Sequence, residues 1–279
     1  MNTSAAGPDG FGDLHEGRLS EMVHAARLAG EHTMKYFGES GLAVESKDDR
    51  SPVTVADREA EALVRQRIAA IYGDDAVAGE EHADTTGTTG YRWIVDPIDG
   101  TKSFICGVPL YSTLLALEFE DQVIGGVIYL PAMSDLIAAA VGMGCWRQQG
   151  TRGWSPTRVR SCESIDGAVF VTSQVDAFAD RGSGEAYREI ERRASITRSW
   201  GDGYGYAMVA TGRADLMIDP VCNAWDVAAV MPVVTEAGGR FTDWNGNATA
   251  GGGDGVGTAG GRLHEEVLRV LGGGVRHSV

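Results

Sequence analysis

Trp93-Ile94-Val95-Asp96-Pro97-Ile98-Asp99-Gly100-Thr101 is the stretch on which the reading turns. Its apolar start reads as a strand that runs directly into two carboxylates three residues apart. Pro97 fixes its own φ and biases Asp96 toward an extended conformation, so the strand is expected to end there. A turn at that point can aim Asp96 and Asp99 at one place, and hard divalent cations take carboxylate oxygens so fixed with little reorganisation. Gly100 lets backbone approach a ligand closely, and the N–H groups that follow can hold phosphate oxygens. The same residues also read as two ordinary loop turns, Asp-Pro and Asp-Gly. Taken alone, the motif does not choose between these readings.

Upstream, Leu19, Met22, Val23, Ala26, Ala29, Met34 and Phe37 approximate helical spacing over 14–37. Ala56, Ala60, Leu63, Val64, Ile68 and Ile71 mark a second helix, with acids in its early turns and Arg65 and Arg67 later, as the helix dipole favours. The polar residues 46–52 connect the two. Downstream, Tyr91–Val95, Ser112–Phe119, Val123–Leu130 and Leu136–Val141 read as strands, the middle pair joined as a hairpin through Glu120-Asp121-Gln122. Beyond a polar stretch near 150–165, strands at 168–173, 196–200, 214–219 and 239–243 alternate with helices at 184–194, 203–211, 225–237 and 262–271. The Gly-rich residues 250–257 are expected to form a surface loop. This order predicts a mixed α/β (α+β) architecture in two halves, 13–155 and 156–279, behind a disordered leader at 1–12.

A chain of 279 residues can bury a large core. No apolar run approaches a membrane span, and the start lacks the basic-then-apolar pattern of a secretory signal. Cys106, Cys145, Cys162 and Cys222 are widely spaced and form no CxxC pair, which fits reduced thiols in a cytoplasmic protein better than a zinc site or a disulfide framework. A net charge of −15 argues against nucleic acid or an anionic membrane as partner. It leaves an anionic substrate open, because bound divalent cations invert the local potential.

Three further acidic positions matter only in combination. Glu80 and Glu81, in Gly79-Glu80-Glu81-His82 after a strand at 76–78, read singly as a solvated loop. Asp57, after Ser51-Pro52-Val53-Thr54, reads as a first-turn carboxylate, and Asp226 in Trp225-Asp226 as a helix cap. His82 reads as a residue behind the site or at the surface.

In this order the segments resemble the inositol monophosphatase family of metal-dependent phosphatases, over roughly residues 42–271. The elements that carry the resemblance are Pro52-Val53-Thr54 through Asp57, Gly79-Glu80-Glu81, Asp96–Thr101 with Phe104, Trp225-Asp226-Val227-Ala228-Ala229 and Glu236-Ala237-Gly238-Gly239. The resemblance implies the αβαβα layered sandwich shared with fructose-1,6-bisphosphatase, a homodimer, and two or three Mg²⁺ ions. It implies Glu80, Asp96, Asp99, Asp226 and the Ile98 carbonyl as metal ligands. Asp57 and Thr101 would orient the attacking water, with Glu80 counted among the catalytic groups, and the Gly100 and Thr101 N–H groups would meet the phosphate. The activity implied is hydrolysis of a small-molecule phosphate monoester, for which no cysteine or histidine nucleophile is needed.

Substrate choice is implied by other positions. Trp200-Gly201-Asp202-Gly203-Tyr204-Gly205-Tyr206 and the Thr101-Lys102-Ser103-Phe104 continuation resemble the histidinol-phosphate phosphatase branch. Asp202, Gly203 and Asp219 are then the substrate-binding residues, the carboxylates suiting a substrate with an imidazole and an ammonium group. Asp219 departs from the Glu that is usual at that place, and Asp202 also reads as a turn residue between two glycines. Lys102 reads either as a phosphate contact or as an exposed loop lysine. The alternatives are an inositol or other cyclitol or sugar phosphatase and, in another class, a non-catalytic regulatory member; every expected ligand position is still acidic, which gives loss of catalysis no support.

Overall fold

The computed structural model describes residues 11, 14–47 and 51–273. Helices α1 (Arg18–Thr33) and α2 (Val55–Ile71) flank a short hairpin of β1 (Val44–Ser46) and β2 (Pro52–Thr54). A seven-stranded sheet follows: β3 (Ala76–Gly79), β4 (Tyr91–Asp99), β5 (Ser112–Phe119), β6 (Gln122–Leu130), β7 (Asp135–Ala140), β8 (Gly144–Gln149) and β9 (Ser155–Pro156), in that spatial order. Only its β3–β4 pair is parallel. The short α3 (Thr101–Ile105) leaves the end of β4.

The remaining strands are β10 (Val169–Thr172), β11 (Ile196–Arg198), β12 (Leu216–Cys222), β13 (Arg240–Thr242) and β14 (Gly253–Thr258), arranged as β11-β10-β12-β14-β13. Helices α4 (Asp176–Asp180), α5 (Gly184–Arg193), α6 (Asp202–Ala210), α7 (Ala224–Val227), α8 (Val230–Glu236) and α9 (Gly261–Gly273) complete the chain.

Alternation along the strands sorts the core into layers. Trp93, Val95, Leu115 and Leu117 face α1 and α2, burying Met22, Ala26, Val64 and Ile68. Ile94, Leu114, Ala116 and Ile128 point the other way, onto Ala207, Val209, Val230 and Val233 of α6 and α8. Those two helices also cover Val171 and Met217 of the smaller sheet, whose outer face packs Phe170 and Ile218 against Phe178, Ile190 and Val267 of α4, α5 and α9. The result is the expected αβαβα sandwich.

Helices α6 and α8 are at once the middle layer and part of the 156–279 half, so the two halves share one core. Phe11, inside the stretch expected as a disordered leader, is buried with α1; residues 1–10 and 12 lie outside the described residues, as do 48–50 of the polar connection. No helix among the described residues is long and apolar enough to cross a membrane.

The middle layer sits unusually close to the sheet at one place. Ala116, Gly126 and Ala139 are paired neighbours across β5, β6 and β7. This flat patch admits the Ala228-Ala229 turn between α7 and α8, and a Cβ at Gly126 would stand 2.2 Å from the Ala229 carbonyl oxygen. The small residues after Trp225-Asp226 are therefore packing residues that bring Asp226 down onto the sheet.

Three expectations need correction. The strand does not end at Asp96 but continues through Pro97 to Asp99 by a register shift. The expected helix over 225–237 is two helices, α7 and α8, with a turn at Ala228-Ala229. The Gly-rich stretch expected as a surface loop contains β14, paired on both sides; Gly255 and Gly257 give room to Tyr206, whose hydroxyl a Cβ at the first would meet at 2.8 Å and whose ring a Cβ at the second would meet at 2.8 Å.

His264 provides a test of the core beneath β13 and β14. Its ring nitrogens are 2.8 Å from Thr242 Oγ1 and 3.0 Å from Thr258 Oγ1, out of reach of solvent. Burial, helped by Arg240, pushes its pKa from 6.5 down to about 4. Between those two values the unfolded chain binds the proton and the folded one does not, so stability falls as pH drops from 6.5 to 4. Urea unfolding should show this group removing about 3 kcal/mol across that window, a loss that His264→Gln escapes.

Candidate metal centre

The register shift in β4 makes the site. Asp96 pairs with Leu114 and Asp99 with Ser112. Leu114 and Ser112 are two residues apart and share a face of β5, whereas Asp96 and Asp99 are three apart. One extra residue in β4 thus returns Asp99 to the face that Asp96 occupies, the effect of a β-bulge. On that face α7 presents Asp226, and carboxylate oxygens of Asp96, Asp99 and Asp226 all lie within 4.8 Å of one another.

Each carboxylate is held from behind. Asp96 Oδ1 accepts the Ile98 N–H at 3.1 Å. Asp99 Oδ2 accepts the Ser112 hydroxyl at 2.5 Å and the Gly203 N–H at 2.6 Å. Asp226 Oδ2 accepts the Asn223 N–H at 2.6 Å, within a capping box at the start of α7. Ser112 and Asn223 carried no mark in the sequence beyond their place opposite, or three residues before, an aspartate. Gly203, expected to meet substrate, supports Asp99 through its backbone N–H.

Glu80 arrives by a second register. β3 runs parallel to β4 with Gly79 opposite Val95, so Glu80 follows at the level of Asp96, its N–H on the Val95 carbonyl at 3.3 Å. It lines the same cleft but stands outside the cluster of three, paired with Lys47. The Lys47 ammonium is 2.7 Å from both Glu80 and Glu81; burial opposes its charge, but these two carboxylates raise its pKa above the usual value. Glu81 is itself pushed up to about 7, mainly by burial. His82 is exposed and lies 3.4 Å from Glu61.

Asp57 is buried at the start of α2, where Oδ2 takes both the N–H and the hydroxyl of Thr54 at 2.8 and 2.6 Å. Its Oδ1 is buried without a hydrogen-bond partner. The Thr101 hydroxyl donates to the Ile98 carbonyl at 3.0 Å. Gly100 has φ +81, a conformation costly for a side-chain-bearing residue, and a Cβ there would stand 2.9 Å from Asp202 Oδ2.

The three clustered aspartates, Glu80 and the Gly100-Thr101 turn line a cleft of about 520 Å³. Among the described residues, Glu80, Asp96, Asp99, Asp176, Asp202 and Asp226 line it against one basic side chain, Lys102, which donates to Gln174 at 2.7 Å. Burial raises Asp96 and Asp99 well above the ordinary carboxylate range; Glu80 adds most to the first and Asp202 most to the second. Asp226 is pushed up to about 7 by burial, with Glu80 and Asp202 adding to it. Buried carboxylates at this spacing ionise together only with a cation among them. The oxygen-only donor set and the unpartnered Asp57 Oδ1 therefore fit a hard divalent ion.

A second cleft of about 320 Å³ adjoins the first, sharing Asp99, Ser173, Gln174, Asp202 and Asp226. Asp180, Asp219, Ser173 and Gln174 line it with Val221 and Cys222, and among the described residues no lysine or arginine does. Asp219 is pushed up to about 7, chiefly by burial, against which the Ser173 hydroxyl works. Asp180 and Asp176 sit on α4, whose sequence gave no reason to place them here.

Comparison with known proteins bears on the family and the fold. Residues 16–273 match the model of the inositol monophosphatase family. The histidinol-phosphatase of Chlorobaculum parvum is 39% identical over 92% of this chain and 98% of its own length. That of Mycobacterium tuberculosis is 40% identical over 93% and 99%. The inositol-1-monophosphatase of Rhizobium meliloti is 34% identical over 82% and 86%. Among solved structures, the extragenic suppressor protein suhB of Bartonella henselae superimposes with a TM-score of 0.84 at 28% identity, covering 92% of this chain and 98% of that one.

Proposed function

The chain belongs to the inositol monophosphatase family and is a phosphoric monoester hydrolase; from that premise we propose that it hydrolyses histidinol phosphate to histidinol, with Mg²⁺ as its cofactor. The observation that carries the substrate is the second cleft, where the charged side chains among the described residues are all acids: Asp99, Asp180, Asp202, Asp219 and Asp226. A substrate with an ammonium and an imidazole gains from those carboxylates, whereas a ring bearing only hydroxyls does not need them. Relatives named for histidinol phosphate at 39% and 40% identity support the same choice.

Asp96, Asp99, Asp226, Glu80 and the Ile98 carbonyl are the groups that would hold the cations. When bound, these supply Lewis acidity to a water nucleophile and neutralise charge on the phosphoryl oxygens. Asp57 offers its free Oδ1 as the acceptor that orients the water, because Thr54 occupies Oδ2. Thr101, the second residue proposed to orient that water, has its hydroxyl on the Ile98 carbonyl. Gly100 keeps the turn bare of side chain where the phosphate would approach. Asp202 and Asp219 face the organic part of the ester from the second cleft.

With Mg²⁺ present, kcat/KM for histidinol phosphate should exceed that for inositol 1-phosphate by about a hundredfold or more. The reverse order would instead favour a cyclitol phosphatase, the reading that the 34% identical inositol-1-monophosphatase supports. Chelation should abolish turnover of both esters, and Mg²⁺ should restore it.

A further inference from the structure

Ser173 follows β10 directly, and the parallel pairing of Thr172 with Ile218 sets it beside Asp219, where β10 ends against the middle of β12. Its hydroxyl makes two bonds. It accepts the Asp202 N–H at 2.8 Å and donates to Asp219 Oδ1. The directions are fixed, because an amide can only donate and a serine hydroxyl has one proton to give. One oxygen therefore joins the backbone of one acidic residue to the side chain of another, and all three residues line the second cleft.

Asp202 needs such a restraint. Its φ of +54 lies in the left-handed region, costly for a residue with a Cβ, and persists only where the surroundings hold it. Gly201 packs so closely on Ser173 that a Cβ there would stand 2.2 Å from Ser173 Cα. The next amide, Gly203 N–H, is taken separately by Asp99. Ser173 thus governs Asp202 and Asp219 without touching the cluster of Asp96, Asp99 and Asp226.

We propose that Ser173 is a positioning residue for substrate selection, its hydroxyl locking Asp202 and Asp219 into one arrangement that receives the cationic part of the substrate. This rests on the histidinol-phosphate reading for the nature of that part. Loss of the hydroxyl frees the Asp219 carboxylate and the Asp202 backbone together, while the groups that would hold metal and water stay in place.

The test compares histidinol phosphate with glycerol 2-phosphate, an ester without a cation, under saturating Mg²⁺. Ser173→Ala should raise KM for histidinol phosphate about tenfold or more, with both kcat values and the glycerol 2-phosphate KM changing less than about threefold. Ser173→Cys keeps the volume with a poor donor and should behave like Ser173→Ala, whereas Ser173→Thr keeps the hydroxyl and should restore selectivity. An unchanged histidinol-phosphate KM in the alanine and cysteine variants, or equal losses on both esters, would overturn the assignment while leaving the wild-type preference intact. A wild-type enzyme with no preference between the esters would overturn the substrate reading, and this inference with it.

Discussion

Asp99→Asn is expected to lower turnover by on the order of a thousandfold or more while making the metal-free protein more stable. The opposite signs come from one geometry. Asp99 Oδ2 carries both supporting bonds, from Ser112 and from Gly203. An asparagine with its oxygen in that place keeps both, and turns an NH₂ toward the oxygens of Asp96 and Asp226. That exchange replaces repulsion among buried carboxylates with donation to them. It also removes one anionic ligand from a set whose purpose is to hold a cation, so the rise in melting temperature that Mg²⁺ gives the wild type should shrink sharply. Kinetics and thermal melts with and without Mg²⁺ check both halves. A variant with unchanged turnover would refute Asp99 as a ligand, and a less stable metal-free variant would refute the repulsion.

Much of this centre was legible because ligands cluster at strand ends and helix starts that sequence patterns mark well. The strand over Ser112–Phe119 lies where its apolar run placed it, and Asp96, Asp99 and Asp226 come together in space. What the pattern hid was produced by packing. Pro97 argues locally for the end of a strand, but Thr113 donates to its carbonyl at 2.8 Å and β5 continues past it, so the proline sits in a bulge. Gly253–Thr258 alternates glycine with Asp254, Val256 and Thr258, which reads as a Gly-rich loop until Tyr206, far away in sequence, is seen to fill the space over its glycine face. Ser173 was invisible for a similar reason. A serine after a strand is unremarkable until β10 and β12 are known to be neighbours.

The adjacent glycines of β6 allow the dependence of the site on packing to be measured. Gly126→Ala should cost about 3 kcal/mol or more, because the new Cβ meets backbone: the Ala229 carbonyl oxygen at 2.2 Å and Ala229 Cα at 2.8 Å. Backbone cannot rotate away, so relief requires the α7–α8 turn to lift from the flat patch of Ala116, Gly126 and Ala139. Asp226 lies three residues before Ala229, and the same displacement should carry its carboxylate away from Asp96 and Asp99. Gly126→Ala should therefore weaken Mg²⁺ binding as well as stability, although residue 126 touches no ligand. Gly125→Ala is the control on the opposite face, where the nearest atoms are the ends of flexible side chains, Leu19 Cδ2 at 2.7 Å and Met22 Cε at 3.1 Å. Its cost should be smaller, about 1 to 2 kcal/mol, and its Mg²⁺ affinity that of the wild type. Denaturant unfolding and calorimetric Mg²⁺ titration of the two variants separate the effects. Equal Mg²⁺ affinities would show that the ligand on α7 is positioned independently of the sheet beneath it.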